Sequence, residues 1–147
     1  MSKKINLLET GNMLLAAQNI VLCCHVSPDG DTLGSALGLA RLLEQKGKEV
    51  TVFADDDINK SLNFIPGIDK VQRPEAGVLV EADLFVVVDA SSFDRVGICN
   101  EVVKAPVLLN IDHHISNTEF ADYLYLDAEA AAAGEIMCDL FEAMGWE

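Results

Sequence analysis

The chain has 147 residues, half of them hydrophobic, and its formal net charge is −14 at pH 7. This length and composition are typical of one globular domain with a hydrophobic core, and they exclude a disordered chain. The excess of acidic side chains argues against binding to long nucleic-acid duplexes, because phosphate contacts need clustered Lys and Arg side chains.

The hydrophobic pattern predicts helices and strands that alternate along the chain. The first half contains a helix, a buried strand, a second helix capped by Asp31 or Thr32, and another strand, at residues 5–17, 19–24, 32–46 and 50–54. An acidic loop, a helical turn and a minor strand follow, at residues 55–57, 59–65 and 68–71. The second half contains a buried strand, a short helix, another buried strand, an edge strand and a long helix, at residues 84–88, 96–104, 107–111, 123–126 and 128–144.

Alternating strands and helices are typical of a parallel sheet with right-handed crossovers. We therefore predict an α/β fold, a three-layer sandwich around a mainly parallel, doubly wound sheet of about five strands. No apolar segment is long enough to cross a bilayer, so we expect a cytoplasmic protein without a membrane partner. Buried, reduced thiols fit that location, and the cysteines lack the spacing of a zinc ribbon or a disulfide framework (Cys23, Cys24, Cys99 and Cys138).

Three of the predicted buried strands are followed by side chains that bind metal ions. These are His25, Asp29 and Asp31 after the first strand, Asp89 after the second, and Asp112, His113 and His114 after the third. Because the carboxyl ends of parallel strands lie at one edge of a sheet, the groups can converge. Each motif alone is weak, since an Asp-Gly turn before a capped helix is common. The inference of a site therefore rests on all three motifs together.

The type of side chain indicates which metal would bind. Imidazole and carboxylate ligands without thiolates suit Mn²⁺, and also Mg²⁺ or Co²⁺, better than a structural Zn²⁺. We therefore expect two divalent cations as cofactors. Two cations in one site activate a water molecule for attack on phosphorus. The pattern of residues thus indicates a metal-dependent hydrolase.

The same residues, with Arg95, resemble the three signature motifs of the DHH phosphoesterases. The motifs are His25-x-x-x-Asp29-x-Asp31, a segment from Asp89 to Arg95, and Asp112-His113-His114. Residues 117, 120–122 and 127–135 are similar to the branch of that family with bifunctional oligoribonuclease and phosphoadenosine-phosphate phosphatase activity.

The resemblance implies a role for each residue. His25 and Asp29 would hold one cation, Asp31 and His113 the second, and Asp89 would bridge both. In catalysis, His114 would contact the substrate phosphate, and Asp112 would orient the histidines. Arg95 would have a structural or phosphate-binding role. The alternative for Arg95 is an ion pair with Asp94 or Glu101 on the surface.

The resemblance also implies an activity. We expect hydrolysis of short oligoribonucleotides, of 3′-phosphoadenosine 5′-phosphate, or of both. The alternatives within the same chemistry are an inorganic pyrophosphatase, an exopolyphosphatase and a cyclic-dinucleotide phosphodiesterase. A non-enzymatic alternative is a regulatory module with a residual metal site.

Members of that family continue with another metal-binding Asp and a second, substrate-binding domain. We therefore expect residues 1–147 to be an N-terminal catalytic domain that is incomplete at its C-terminus and lacks the substrate-binding domain. Such a piece would bind its second cation weakly and be weakly active or inactive. Its last helix would expose apolar side chains and favour a homodimer, through residues such as Ile136, Leu140 and Phe141. Gly34 and Gly38 would allow close packing of their helix against the sheet, or close approach of the start of that helix to the metal site.

Overall fold

The computed structural model describes residues 1–146, in which strands and helices alternate. The strands, in chain order, are β1 Lys3–Lys4, β2 Asn19–Cys23, β3 Glu49–Phe53, β4 Val80–Glu81, β5 Leu84–Val88, β6 Val103–Lys104, β7 Leu108–Asp112 and β8 Tyr123–Leu126. The α-helices are α1 Leu7–Ala16, α2 Gly30–Gln45, α3 Cys99–Val102 and α4 Ala133–Met144. None of the helices in this part of the chain has the length and hydropathy needed to cross a membrane.

Six strands form one parallel sheet in the order β1-β8-β7-β5-β2-β3, and β4 pairs with β6 outside it. The chain runs from β2 to β3 at one edge, then returns past β2 to β5 and continues to β7 and β8. The direction of winding therefore reverses between β2 and β5. This is the doubly wound topology predicted from the sequence, and such switch points are where open α/β sheets bind ligands.

The sheet has six strands rather than about five because β1 lies outside β8. The backbone N–H groups of Lys3 and Ile5 donate to the carbonyls of Asp122 and Leu124, each at 3.0 Å. The prediction that residues 123–126 form an edge strand is therefore wrong. A two-residue strand has too few side chains to show a period in sequence.

Alternate residues of each central strand pack on opposite faces of the sheet. On one face, Leu22 and Val86 contribute to a core that includes buried side chains of α1, α2 and α4. On the other face, Val21 and Val87 pack with α3 and the 3₁₀ turn Phe93–Val96. All four strand side chains are fully buried. This arrangement is the predicted three-layer sandwich.

Several predicted element boundaries differ from the structure. The α2 helix begins at Gly30, and its cap is Asp29 rather than Asp31 or Thr32. Residues 68–70 form a 3₁₀ turn instead of a strand, and the helical turn near residue 60 is limited to Lys60–Leu62. The predicted helix at 96–104 is divided into a 3₁₀ turn, α3 and β6.

The start of α4 also differs from the prediction, because the alanine-rich segment before it is not helical. Two backbone N–H groups at the start of the helix, those of Ala133 and Gly134, donate to the carboxylate of Asp31 at 2.9 Å. Asp31 is about a hundred residues away in sequence. A contact from another part of the fold therefore sets the start of α4, although alanine favours helix locally.

The apolar side chains of α4 are covered within the domain. Ile136 is 1% exposed and Leu140 is fully buried, and Phe141 is partly buried against the same core. The expectation that α4 exposes apolar surface is therefore wrong, and so is the reason given for a homodimer.

The expectation of close packing at Gly34 and Gly38, in α2, is also wrong, because a Cβ at either position would meet no atom within 4 Å.

Candidate metal centre

The carboxyl ends of β2, β5 and β7 surround a cavity of about 430 Å³. Of the eight site residues predicted from the sequence, seven line this cavity, namely His25, Asp29, Asp31, Asp89, Arg95, His113 and His114. Asp112 is fully buried behind His114. A larger groove of about 540 Å³ lies between α2, β3 and residues 65–70, and its lining is mainly apolar. Both clusters of metal-binding side chains found among residues 1–146 belong to the smaller cavity.

Asp89 occupies the middle of the site, directly after β5. Its backbone has a φ of +64°, in the left-handed region that few non-glycine residues adopt. The side chain is 4% exposed, with Oδ2 3.5 Å from Nε2 of His25 and Oδ1 3.0 Å from Nε2 of His113. The Oδ1 atom is buried and, although Nε2 of His113 lies close, it has no hydrogen-bond partner among residues 1–146. One carboxylate therefore connects histidines from two different strand ends.

His25, Asp29 and Asp89 form a first group of metal-binding side chains, whose ligand atoms lie within 4.8 Å of one another. The Nδ1 atom of His25 lies 2.6 Å from the carbonyl oxygen of Val26. That contact favours a proton on Nδ1 and leaves Nε2 free to bind a metal. A hydrogen bond with Asp89 raises the pKa of His25 above 6.5, and burial of the ring opposes this shift. Asp29 also caps α2, because its Oδ1 accepts the N–H of Thr32 at 2.9 Å.

Asp89, His113 and His114 form a second group with ligand atoms within 4.8 Å of one another. Asp31 lies beside this group, with its Oδ2 3.9 Å from Nε2 of His113. Both oxygens of Asp31 accept N–H groups from the start of α4. The structure thus includes His114 in the second group, whereas the resemblance implied a contact with the substrate phosphate. A role of Asp31 in binding the second cation stays a prediction.

His114 lies against Asp112, with its Nδ1 2.6 Å from Oδ1 of the carboxylate. His113 instead faces Asp31 and Asp89. Among residues 1–146, Asp112 therefore contacts one of the two adjacent histidines, whereas an orienting role toward both was expected.

Arg95 lines the cavity with an exposed side chain. Within the described residues it has no carboxylate within 4.0 Å, so the alternative ion pairs with Asp94 or Glu101 are absent there. Asp94 instead accepts a hydrogen bond from the hydroxyl of Ser92 at 2.5 Å. The guanidinium is therefore available to an anion in the cavity.

Sequence reasoning missed the carboxylates that support the site from residues 55–57. Asp56 accepts the backbone N–H groups of Ser27 and Asp57, each at 2.8 Å, and these hydrogen bonds lower the pKa of Asp56. Asp55 accepts the N–H of Ile98 at 2.8 Å and also lies near Arg73. From the sequence, the acidic run indicates a solvated turn in preference to a third metal site, because a sequence pattern does not show which distant N–H groups a carboxylate reaches.

The residues present fit a divalent cation. A buried carboxylate oxygen without a hydrogen bond is unfavourable unless a cation or another donor completes it. Here that oxygen lies among imidazole nitrogens and further carboxylates, which are the ligands expected for Mn²⁺ and similar cations.

The sequence model of the DHH family, N-terminal domain, matches residues 19–147. The chain belongs to the DHH family. It is 35% identical over 131 residues to a bifunctional oligoribonuclease and PAP phosphatase of Thermus thermophilus, covering 87% of this chain and 38% of the relative. It is 31% identical over 127 residues to a probable manganese-dependent inorganic pyrophosphatase of an Exiguobacterium strain, covering 84% of this chain and 40% of the relative.

A solved structure shares the fold of this DHH domain. An exopolyphosphatase-related protein from Bacteroides fragilis superposes with a TM-score of 0.84 and 26% identity, over 95% of this chain and 44% of that protein. The part of each relative that this chain matches is therefore less than half of that relative's length.

Proposed function

We propose that this DHH domain is the N-terminal catalytic domain of a metal-dependent phosphoesterase that acts on short oligoribonucleotides, 3′-phosphoadenosine 5′-phosphate, or both. The observation that carries the proposal is the buried Asp89 carboxylate between His25 and His113. Similarity to the Thermus thermophilus relative, which is named for both activities, supports the substrate class.

Two groups of residues would hold two divalent cations, Mn²⁺ in preference to Mg²⁺ or Co²⁺. His25 and Asp29 would bind one, His113 with Asp31 or His114 the other, and Asp89 would contact both. When bound, two divalent cations supply the Lewis acidity that activates water and neutralises charge on a phosphate. The name of the manganese-dependent relative supports the choice of metal.

Two side chains would act on the phosphate itself. The guanidinium of Arg95, which lines the cavity without an ion pair among residues 1–146, would bind non-bridging oxygens. The carboxylate of Asp112 would stabilise a protonated His114 ring, whose other nitrogen would donate a proton to a phosphate or leaving-group oxygen. Positive charge placed where negative charge develops lowers the barrier to hydrolysis.

Inorganic pyrophosphate is the second candidate substrate, supported by the similarity to the Exiguobacterium relative. Each relative is more than twice as long as the part this chain matches. We therefore propose that residues outside this chain contribute to the choice of substrate and that the 147 residues alone turn over slowly.

The metal site is tested by titrating Mn²⁺ into the 147-residue chain and its Asp89→Ala variant by calorimetry. We expect the substitution to weaken binding by at least about tenfold, because it removes the carboxylate shared by both groups. The control is Asp139→Ala, which removes an exposed carboxylate from α4. Equal Mn²⁺ affinity in the wild type and Asp89→Ala would refute the site.

Substrate choice is tested with the protein in excess over substrate and Mn²⁺ present, so that slow hydrolysis is still measured. Short RNA, 3′-phosphoadenosine 5′-phosphate, pyrophosphate and cyclic di-AMP are compared side by side. We expect cleavage of one or both of the first two, and its loss in Asp89→Ala. Faster cleavage of pyrophosphate would favour the second candidate, and cleavage of none of the four would contradict the proposal that the 147 residues alone retain slow turnover.

A further inference from the structure

A buried amide side chain supports the backbone on both sides of Asp89. Asn110 is a polar residue in the middle of β7, and it is fully buried. Its Nδ2 donates to the carbonyls of Val87 at 3.0 Å and Ala90 at 3.2 Å, which flank Asp89. An L-residue in the left-handed region needs such support, because the conformation is unfavourable for the isolated backbone. Asn110 thus holds β5 and its turn in the form that directs Asp89 into the cavity.

A second amide connects this support to His114. The Nδ2 of Asn117 donates to Oδ1 of Asn110 at 2.7 Å and to Oδ2 of Asp112 at 2.8 Å. The other oxygen of Asp112 lies 2.6 Å from Nδ1 of His114. One amide group therefore connects the residue that supports Asp89 with the carboxylate that holds His114.

The loop that carries Asn117 is itself fixed to the site. The Oδ1 of Asn117 accepts the N–H of Glu119 at 2.8 Å, and the next residue, Thr118, donates its N–H to the carbonyl of Ser91 at 2.8 Å. Ser91 lines the cavity two residues after Asp89. Both Asn117 donor hydrogens and its acceptor oxygen are thus used, which leaves the amide a single orientation.

We propose that Asn117 is a positioning residue that fixes the Asp112 carboxylate and, through it, the tautomer and orientation of His114. With Oδ2 of Asp112 occupied by Asn117, Oδ1 faces Nδ1 of His114 and keeps a proton on that nitrogen. The Nε2 atom is then the nitrogen left to exchange a proton with a ligand in the cavity or to bind a cation. This inference deepens the proposed function, but its first test needs neither metal nor substrate.

The first test measures the tautomer of His114 in the metal-free protein at alkaline pH, from the ring ¹⁵N shifts of the three histidines. In the wild type we expect the proton on Nδ1. In Asn117→Ala we expect a shift toward the Nε2–H form, because Asp112 is free to rotate. His25 is an internal control, since its Nδ1 faces the carbonyl of Val26 and should not change. An unchanged His114 signal in a folded Asn117→Ala protein would overturn the proposal.

A purely structural role for the loop predicts a different result, namely a lower melting temperature with His114 unchanged. The matched control is Asn100→Ala, which removes an amide that donates to the carbonyl of Phe93 away from the cavity. A similar His114 shift in that variant would also overturn the proposal. If Asn117→Ala does not fold, Asn117→Ser is measured by the same criteria, because its hydroxyl is too short to replace both donor contacts.

The second test titrates Mn²⁺ alone into the same proteins. Residues that orient metal ligands typically change affinity by about 10–100-fold when they are removed. We expect a loss of about tenfold for Asn117→Ala and none for Asn100→Ala. A His114 shift without any change in Mn²⁺ affinity would support the positioning role and count against His114 as a metal ligand. Absence of Mn²⁺ binding in the wild type would refute the proposed metal site while leaving the tautomer result valid.

Discussion

Asp89→Asn is expected to stabilise the metal-free protein. The amide has the same shape as the carboxylate, and Asn tolerates the left-handed backbone at this position. The substitution removes a buried carboxylate with an unsatisfied oxygen and introduces an NH₂ group that can donate to Nε2 of His25 or His113. An unsatisfied buried polar group costs about 1–3 kcal/mol. We therefore expect a gain of about 2 kcal/mol, or roughly 4–8 °C in melting temperature for a domain of this size.

The gain should depend on pH, because Asp89 raises the pKa of His25 in the folded wild type. A raised folded pKa adds stability that is complete below the ordinary value of 6.5 and is lost as pH rises through the folded pKa. The wild type is therefore supported by protonated His25 in acid and lacks that support in alkali. The advantage of Asp89→Asn should be largest at alkaline pH and should shrink or reverse below the ordinary pKa of histidine.

Mn²⁺ at 100 times the wild-type Kd should remove most of this advantage at alkaline pH, because an affinity about tenfold weaker makes the stabilisation of the variant about 1.3 kcal/mol smaller. A ligand at 100 times its Kd stabilises the folded state by about 2.7 kcal/mol, and the variant has lost the charged oxygen shared by the two groups. The assay is thermal unfolding with a chelator and with Mn²⁺, and Asp139→Asn is the control for loss of one exposed carboxylate. A variant less stable than the wild type without metal at alkaline pH would refute the argument from the unsatisfied oxygen. Equal stabilisation of both proteins by Mn²⁺ would refute the bridging role.

Two further predictions concern the support of the site and the thiols. Asp31→Asn should weaken Mn²⁺ binding by about tenfold, because it removes a charged carboxylate whose Oδ2 lies 3.9 Å from Nε2 of His113. Gly38→Ala should leave calorimetric Mn²⁺ affinity unchanged, because its Cβ would meet no atom within 4 Å, and should raise stability by about 0.5–1 kcal/mol. Equal affinities in the two variants would contradict a role for Asp31 in metal binding. Ellman's reagent should modify Cys138 in the native protein and the other three cysteines only after unfolding, because these are buried and burial raises the pKa of Cys24 to about 12. Rapid reaction of a second thiol would contradict the burial of Cys23, Cys24 and Cys99.

The central sheet was predictable because its strands are apolar on both faces. The segments of β2, β5 and β7 each contain consecutive buried side chains, a pattern typical of parallel strands that are covered on both faces. Elements that depend on distant contacts were not predictable. The start of α4 is set by Asp31, and β1 is held by the backbone of β8.

The residues of the candidate site were predictable for a related reason. In a parallel sheet the polar residues that directly follow buried strands lie at one edge, so His25, Asp89 and His113 meet although they are far apart in sequence. The residues that hold them were not predictable in these roles. Asn110 interrupts an apolar strand, which marks it as unusual, but the sequence does not show that its amide reaches Val87 and Ala90.

The register between β5 and β7 decides whether the two metal-binding groups share one carboxylate. Val88 lies opposite Ile111 in the sheet, so Asp89 and Asp112 follow at equivalent positions, and His113 is the next residue along. A shift of one residue would move every side chain of one strand to the other face and separate Asp89 from His113. The amide of Asn110, which joins β7 to both sides of Asp89, would lose these two hydrogen bonds if β7 shifted by one residue, because its side chain would then lie on the other face. The same buried amide that supports the strained backbone at Asp89 therefore also selects the strand register that brings the ligands together.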